Sequence, residues 1–325
     1  MVNAMVLHEV GGPGRLLWEA VDVAEPEPTQ VKIRHTAIGV NYIDTYMRSG
    51  LYPVALPAVI GQQGVGVITA IGSNVTRFAV GDRVGYGSAP VGAYAEERIM
   101  DPRPLVKLPE GISDELAAAT QLRGMTAEYL LFRLYKVQPG DNIIVHAATG
   151  ATGVIMVQWA RKLGARVIGT VGSPARFDQA REAGCELVIE YQDSRFVEKV
   201  SDFTHGKLCE VVYDSVGKDS FATSLQCVKR RGMMVAYGNG SGTPDPVEVL
   251  SLARQGSVYL TRPRLDDYAT SVEETEACAS RFFDAVISGS VKPRTTRTFP
   301  LREAPEAHRH LEDRDELSTP VLTID

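Results

Sequence analysis

Asn142-Ile-Ile-Val-His-Ala-Ala-Thr-Gly-Ala-Thr-Gly153 is the stretch that decides the fold. Its apolar start reads as a buried strand that turns tightly into a helix. Ala148, Gly150 and Gly153 stand at the three small-residue positions of a dinucleotide-binding turn. Small residues there let backbone N–H groups approach a pyrophosphate, which rests on the positive end of the helix. A short glycine pattern is weak by itself, and Ala at its first position weakens it further, so its surroundings must decide. The helix expected over 154–163 stops at Gly164, and a second apolar strand, Ala165-Arg-Val-Ile-Gly-Thr-Val171, follows at once. That sequence of elements is the βαβ unit the pattern requires.

The end of the second strand selects the cofactor. An NAD-binding unit places an Asp or Glu about 20 residues beyond the turn, to accept hydrogen bonds from the ribose 2′-hydroxyl. Here the strand ends in Val171-Gly-Ser-Pro-Ala-Arg176, without a carboxylate. Gly172, a hydroxyl at Ser173 and a guanidinium at Arg176 suit a 2′-phosphate, which needs donors and positive charge. The expectation is NADP(H) rather than NAD(H).

At 325 residues the chain is long enough for two domains, each with its own core. A net charge of −6 argues against nucleic acid as a partner, which calls for a basic face. No apolar run approaches the ~18 residues of a membrane span. Met1-Val-Asn-Ala-Met5 lacks the basic start and apolar core of a secretory signal. Cys185, Cys209, Cys227 and Cys278 form no CxxC pair and have no His at metal-ligand spacing. Cys185 and Cys209, at strand edges, read as small buried hydrophobes, and a reducing cytoplasm is the expected compartment.

Residues 1 to about 122 read as mainly β, with strand candidates at 31–38, 64–71 and 82–86 between Gly-rich turns. A helix follows, with Ser113 as its N-cap. From 123 to 262 strands and helices alternate, with strands expected at 142–147, 166–171, 186–190, 210–214, 232–237 and 257–261. Six such strands match a doubly wound parallel sheet. The tail should add helices at 271–288 and 303–313 and a closing strand at 320–324 that returns to the first domain. The last parallel strand would lie at an open sheet edge, and pairing with a second copy about a two-fold axis would cover it.

Asn41-Tyr-Ile-Asp-Thr-Tyr-Met-Arg-Ser-Gly-Leu-Tyr-Pro53, Asp214-Ser-Val-Gly217, Tyr237-Gly-Asn-Gly-Ser-Gly242 and Leu260-Thr-Arg-Pro263 resemble the quinone oxidoreductases. These form the zeta-crystallin-like branch of the medium-chain dehydrogenase/reductases. The resemblance spans essentially the whole chain. It implies a GroES-like, partly open β-barrel catalytic domain (1–122 and 263–325), a Rossmann NADPH-binding domain (123–262), an active cleft between them and a homodimer. Zinc alcohol dehydrogenases of the superfamily use Cys and His ligands where this chain has Gly39-Val-Asn41 and Gly61-Gln-Gln63. The four-Cys lobe expected around 85–100 is replaced by Ser88-Ala-Pro-Val-Gly-Ala-Tyr94. Without thiolate or imidazole no zinc site is expected, and His35 reads as a packed strand residue.

The resemblance places Asn41, Tyr42 and Tyr46, on a 41–52 segment read as a loop, near the nicotinamide end of NADPH. Tyr46 and Tyr52 would donate phenolic hydrogen bonds to a quinone oxygen, and Asp44 would pair with Arg48 or stiffen the loop. Gly150, Ala151, Thr152 and Gly153 would take the pyrophosphate. Gly172, Ser173 and Arg176 would take the 2′-phosphate, with Tyr191 nearby. Thr126 matches a threonine near the nicotinamide ribose. Val216, Tyr237, Gly238, Asn239, Arg264 and Arg314 are carried over from their motifs. Two departures stand out: Gly150-Ala-Thr-Gly153 replaces the usual Gly-Gly-Val-Gly, and Gln63 stands where an acid is usual. Two other readings remain open: an enone or 2-alkenal reductase of the same fold, and a low-turnover NADPH-binding module, structural or RNA-associated.

Overall fold

The computed structural model of the chain describes residues 1–88, 90–313 and 316–324. It divides into two compact units, Met1–Met125 with Ala269–Ile287 and Arg294–Asp325, and Thr126–Tyr268 with Ser288–Pro293. In chain order the first strands are β1 (Val2–Leu7), β2 (Leu16–Val21), β3 (Val31–Gly39), β4 (Ala58–Val59), β5 (Gly64–Ile71), β6 (Arg83–Tyr86), β7 (Glu97–Met100) and β8 (Val106–Lys107). Helix α1 (Tyr42–Ser49) follows β3, and α2 (Asp114–Glu128) follows β8. Then come β9 (Asn142–Val145), α3 (Ala151–Lys162), β10 (Arg166–Val171), α4 (Phe177–Ala183), β11 (Leu187–Glu190) and α5 (Phe196–Phe203). Next are β12 (Cys209–Asp214), α6 (Phe221–Gln226), β13 (Val228–Ala236), α7 (Val249–Arg254) and β14 (Tyr259–Thr261). The tail supplies α8 (Val272–Ile287), β15 (Thr296–Pro300), α9 (Ala304–Glu312) and β16 (Thr319–Thr323).

The first unit is a GroES-like body. One sheet runs β15-β16-β3-β5-β6-β8 with β7 paired to β3, and a smaller one runs β2-β1-β4. Along β3 the first residues alternate between buried Val31, Ile33 and His35 and the more accessible Lys32, Arg34 and Thr36, as a strand with one wet face should. Strand β16 pairs antiparallel with β3, so the C-terminal segment returns to the first unit as expected. Ile33, Ile38, Ile68, Tyr86, Tyr94 and Leu322 lie in its core. Leu116 N–H donates to Ser113 Oγ at 3.2 Å, which makes Ser113 the cap of α2.

The second unit is a doubly wound sheet in the order β11-β10-β9-β12-β13-β14, all pairs parallel. Counted from β9 this is the 3-2-1-4-5-6 arrangement, with its switch point between β9 and β12. Helices cover both faces, so β9 is buried at all four residues and reads as an unbroken apolar run.

Three expectations change. The strand expected over 142–147 ends at Val145, because Ala147 takes a left-handed φ of 50° and begins the turn. The sixth strand starts at Tyr259, after left-handed Ser257. The 41–52 segment is no simple loop, for it contains α1. Eight residues are too few for a stable isolated helix. Here the ends are fixed by Asn41 N–H donating to Asp44 Oδ2 at 2.8 Å and by left-handed Gly50 at the C-terminus. Among the described residues no helix is long and apolar enough to cross a membrane.

Candidate active site

Apart from Thr126, the residues expected to bind the dinucleotide in the second unit lie in loops and helix starts at the carboxyl ends of its strands, where open α/β sheets bind their ligands. After β9, Gly150 N–H donates to Ala147 C=O at 2.7 Å, and the first bond of α3 runs from Val154 N–H to Gly150 C=O at 2.8 Å. The N–H groups of Ala151, Thr152 and Gly153 therefore have no acceptor within the helix. They form an anion-seeking end on a twelve-residue helix. A Cβ at Gly153 would stand 2.1 Å from Ala147 O, so the close approach of turn and helix requires glycine. Beyond β10, exposed Gly172 leads to Ser173 and the half-buried Arg176 in a short 3₁₀ turn. Tyr191 N–H donates to Val171 C=O at 3.1 Å, which brings Tyr191 to the end of that same strand.

The loops after β12 and β13 pack tightly. Gly238 touches the backbone of Ser215, where a Cβ would come within 2.5 Å of Ser215 O. Val216, Tyr237, Gly238 and Asn239 are half-buried there. Burial pushes the Tyr237 hydroxyl up to about 12. Thr126, within α2, is also half-buried. Arg264 is exposed and paired with Asp266 at 2.8 Å, and Arg314 lies outside the described residues.

In the first unit α1 presents an aromatic face. Tyr42 and Tyr46, four residues apart, have ring centroids 6.3 Å apart, and Tyr52 meets Tyr46 edge-on at 5.3 Å. The Tyr42 hydroxyl donates to Leu311 C=O at 3.1 Å. Asn41, buried ahead of α1, donates through Nδ2 to Gln63 Oε1 at 2.8 Å, and Gln63 Nε2 donates to Ala117 C=O at 3.1 Å. The segments where zinc relatives carry ligands thus meet in space, and what meets is an amide pair. Among the described residues no group of three His, Cys, Asp or Glu side chains is placed to hold a metal. All four cysteines are buried free thiols. His35 is packed inside, bonded to Ala95 C=O at 2.6 Å and the Tyr86 hydroxyl at 2.8 Å.

Sequence reasoning missed a buried polar chain behind α1. Asp44 pairs with Tyr94 rather than with Arg48. Arg48 makes two bonds to Glu312, at 3.0 and 2.8 Å, and one to His308 Nδ1 at 2.9 Å. Arginine only donates, so His308 Nδ1 accepts and its Nε2–H donates to the Tyr94 hydroxyl at 2.9 Å. Tyr94 in turn donates to Asp44 Oδ2 at 3.1 Å. Burial, aided by Arg48, lowers His308 to about 3 and keeps it neutral. No periodicity signals this chain, because its members come from three separate stretches: α1, the segment at Tyr94, and α9.

Burial pushes the Asp44 carboxyl up to about 7, opposed by the Asn41 N–H, the Tyr94 hydroxyl and Arg123. Arg123 is itself buried and donates to Val40 C=O at 2.7 Å. A carboxyl raised in the fold contributes stability that is full below its unfolded value near 4 and is lost as pH rises through 7. Asp44→Asn lacks this loss. Its stability relative to the native chain should therefore improve between pH 4 and 7, by up to about 4 kcal/mol at 1.36 kcal/mol per pH unit. Urea unfolding at both pH values checks this, and a pH-independent difference would contradict it.

A GroES-like body, a doubly wound sheet with a glycine-rich strand-to-helix turn, and an aromatic helix face are the features of a dinucleotide-binding oxidoreductase. Known proteins agree. The description "Alcohol dehydrogenase GroES-like domain" matches residues 27–138, and "Zinc-binding dehydrogenase" matches 151–279. A quinone oxidoreductase of Pseudomonas aeruginosa is 44% identical, with 99% of each chain covered. A 2-haloacrylate reductase of a Burkholderia species is also 44% identical over 99% of each chain. The crystal structure of Escherichia coli quinone oxidoreductase complexed with NADPH superposes with a TM-score of 0.94 at 39% identity, covering 99% of both chains. The chain belongs to the quinone oxidoreductase family of the medium-chain dehydrogenase/reductases.

Proposed function

We propose that the chain is an NADPH-dependent reductase that delivers hydride to quinones such as 1,4-benzoquinone and needs no metal. The observation that carries this reading is the Asn41–Gln63 amide pair together with three tyrosine rings, of which Tyr46 meets both Tyr42 and Tyr52. Alcohol oxidation needs something to stabilise an alkoxide, a role that zinc fills as a Lewis acid in zinc dehydrogenases, whereas a quinone is already a strong electrophile and asks only for hydride, orientation and a proton. NADPH, when bound, supplies the hydride. With one proton the balance is quinone + NADPH + H⁺ → hydroquinone + NADP⁺.

The chain's own residues divide the work. The N–H groups of Ala151, Thr152 and Gly153, led in by Gly150, hold the pyrophosphate. Gly172, Ser173 and Arg176 hold the 2′-phosphate, with Tyr191 beside them. This fits the strand end, which offers donors and positive charge but no carboxylate before Arg176. Val216, Tyr237, Gly238, Asn239 and Thr126 line the nicotinamide half, and Arg264 and Arg314 are kept as further cofactor contacts by their motifs alone. Asn41 and Tyr42 border the nicotinamide. Tyr46 and Tyr52, whose rings meet edge-on, are the donors to the quinone oxygen. Tyr46→Phe or Tyr52→Phe should lower kcat about tenfold to a hundredfold with little change in the KM for NADPH. Steady-state kinetics with benzoquinone decide this, and an unchanged kcat in both variants would remove the tyrosines from the reaction.

The similarity to a 2-haloacrylate reductase supports a second reading, reduction of a conjugated carbonyl compound. Product analysis separates the two: hydroquinone from benzoquinone, or a saturated acid from a 2-haloacrylate. We further propose a homodimer formed through the open edge of β14, where Tyr259 and nearby Val249 and Leu250 on α7 are exposed. A cytoplasmic setting suits its four free thiols.

A further inference from the structure

A second buried polar chain lies in the second unit, under the phosphate turn. It starts at Ala147, the left-handed residue of that turn, whose N–H donates to Thr170 Oγ1 at 3.3 Å. Thr170 Oγ1 lies 2.9 Å from His146 Nδ1, and His146 Nε2 lies 2.8 Å from Ser224 Oγ. Ser224 Oγ lies 2.9 Å from Asp214 Oδ2. Asp214 Oδ1 receives the N–H groups of Val216 and Gly217 at 2.8 and 2.9 Å, and Ser220 Oγ donates to the same carboxylate. His146, Thr170, Asp214 and Ser224 are essentially shut off from solvent.

Only one arrangement of hydrogens satisfies this chain. An ionised Asp214 only accepts, so Ser224 donates to it and must accept from His146 Nε2–H. His146 Nδ1 is then an acceptor, which takes the Thr170 hydroxyl hydrogen and leaves Thr170 Oγ1 to accept from Ala147. Burial lowers the basicity of His146 against the opposing charge of Asp214, which suits the neutral ring. Phe196 stacks on that ring at 6.0 Å and 14°. A polar chain with every member satisfied fixes the elements it joins.

The two ends of the chain are loops that leave neighbouring strands β9 and β12 at the switch point of the sheet. We propose that His146 is a positioning residue for the dinucleotide: with Thr170 and Ser224 it locks the pyrophosphate turn at Ala147–Gly153 to the Val216 loop. The lock holds left-handed Ala147, whose C=O receives the Gly150 N–H, and through it the aim of the donors at the start of α3. Its one member on β10 is Thr170, whose hydroxyl bonds run to His146 and Ala147; none of the bonds above reaches Gly172, Ser173 or Arg176, so the 2′-phosphate subsite should respond far less than the pyrophosphate turn. The proposal rests on NADPH binding and not on the identity of the hydride acceptor.

Calorimetric titration of Thr170→Val and Ser224→Ala with NADPH and with adenosine 2′-monophosphate, which lacks the pyrophosphate, tests this. Thr170→Val keeps the volume and removes both bonds of the hydroxyl, whereas Ser224→Ala cuts the chain at α6, away from the turn. The expected result is about a tenfold rise in the NADPH Kd with the adenosine 2′-monophosphate Kd within about twofold of the native value. Should Thr170→Val fail to fold, Ser224→Ala decides, with Ser224→Thr expected to restore binding. An unchanged NADPH Kd, or equal weakening of both ligands, would overturn the proposal. No quinone enters the titration, so a failed quinone assignment leaves its outcome intact.

Discussion

Gly153→Val should weaken NADPH binding by about a hundredfold or more. The added Cβ would stand 2.1 Å from the carbonyl oxygen of Ala147 and 3.1 Å from Ala148 Cα. Both are backbone atoms of the turn and cannot rotate away as a side-chain tip would. Relief requires α3 to move back by about 1 Å, and a misplacement of that size costs about 10²-fold where geometry governs function. The same overpacking should lower stability by about 1–3 kcal/mol. Gly150→Ala makes a graded comparison, because its Cβ would meet Ala147 O at 2.9 Å and its φ of −69° is one that alanine adopts freely. Its loss should be clearly smaller. NADPH fluorescence titration with thermal unfolding measures both, and near-native binding by Gly153→Val would mean that the pyrophosphate rests elsewhere.

Arg176→Ala should change cofactor preference more than any other single substitution. A charge-assisted bond to phosphate is worth about 1.5–3 kcal/mol, so kcat/KM for NADPH should fall about tenfold to a hundredfold. NADH carries a hydroxyl where NADPH carries the phosphate, and its kcat/KM should stay within about threefold of native. The ratio of the two is the informative quantity, since general damage would lower both. An equal fall with both cofactors would make Arg176 a structural residue of the turn before α4.

The sequence exposes most of what builds the nucleotide end. The apolar run at 142–145, the small residues after it and Gly164 announce strand, turn and helix through local chemistry alone. The alternation of six strands with helices announces a doubly wound sheet, whereas the order β11-β10-β9-β12-β13-β14 is read from the structure. The exact turn was less legible, because Ala147 adopts a left-handed conformation that its residue type does not advertise. Helix α1 was hidden by its shortness, although Asp44 three residues after Asn41 and Gly50 at its end are capping signals. The buried chains through His308 and His146 were illegible for a different reason. Their members converge only after folding, and the one local hint is a histidine closing the apolar run Ile143-Ile-Val-His146. Arg48 joins Glu312 across 264 positions of sequence, a separation that no pattern of spacing reveals.

The most direct measurement is NADPH consumption with 1,4-benzoquinone, with and without a metal chelator, and repeated with NADH. The account predicts chelator-insensitive turnover to hydroquinone that favours NADPH. Turnover lost to the chelator, or absent despite tight NADPH binding, would contradict it.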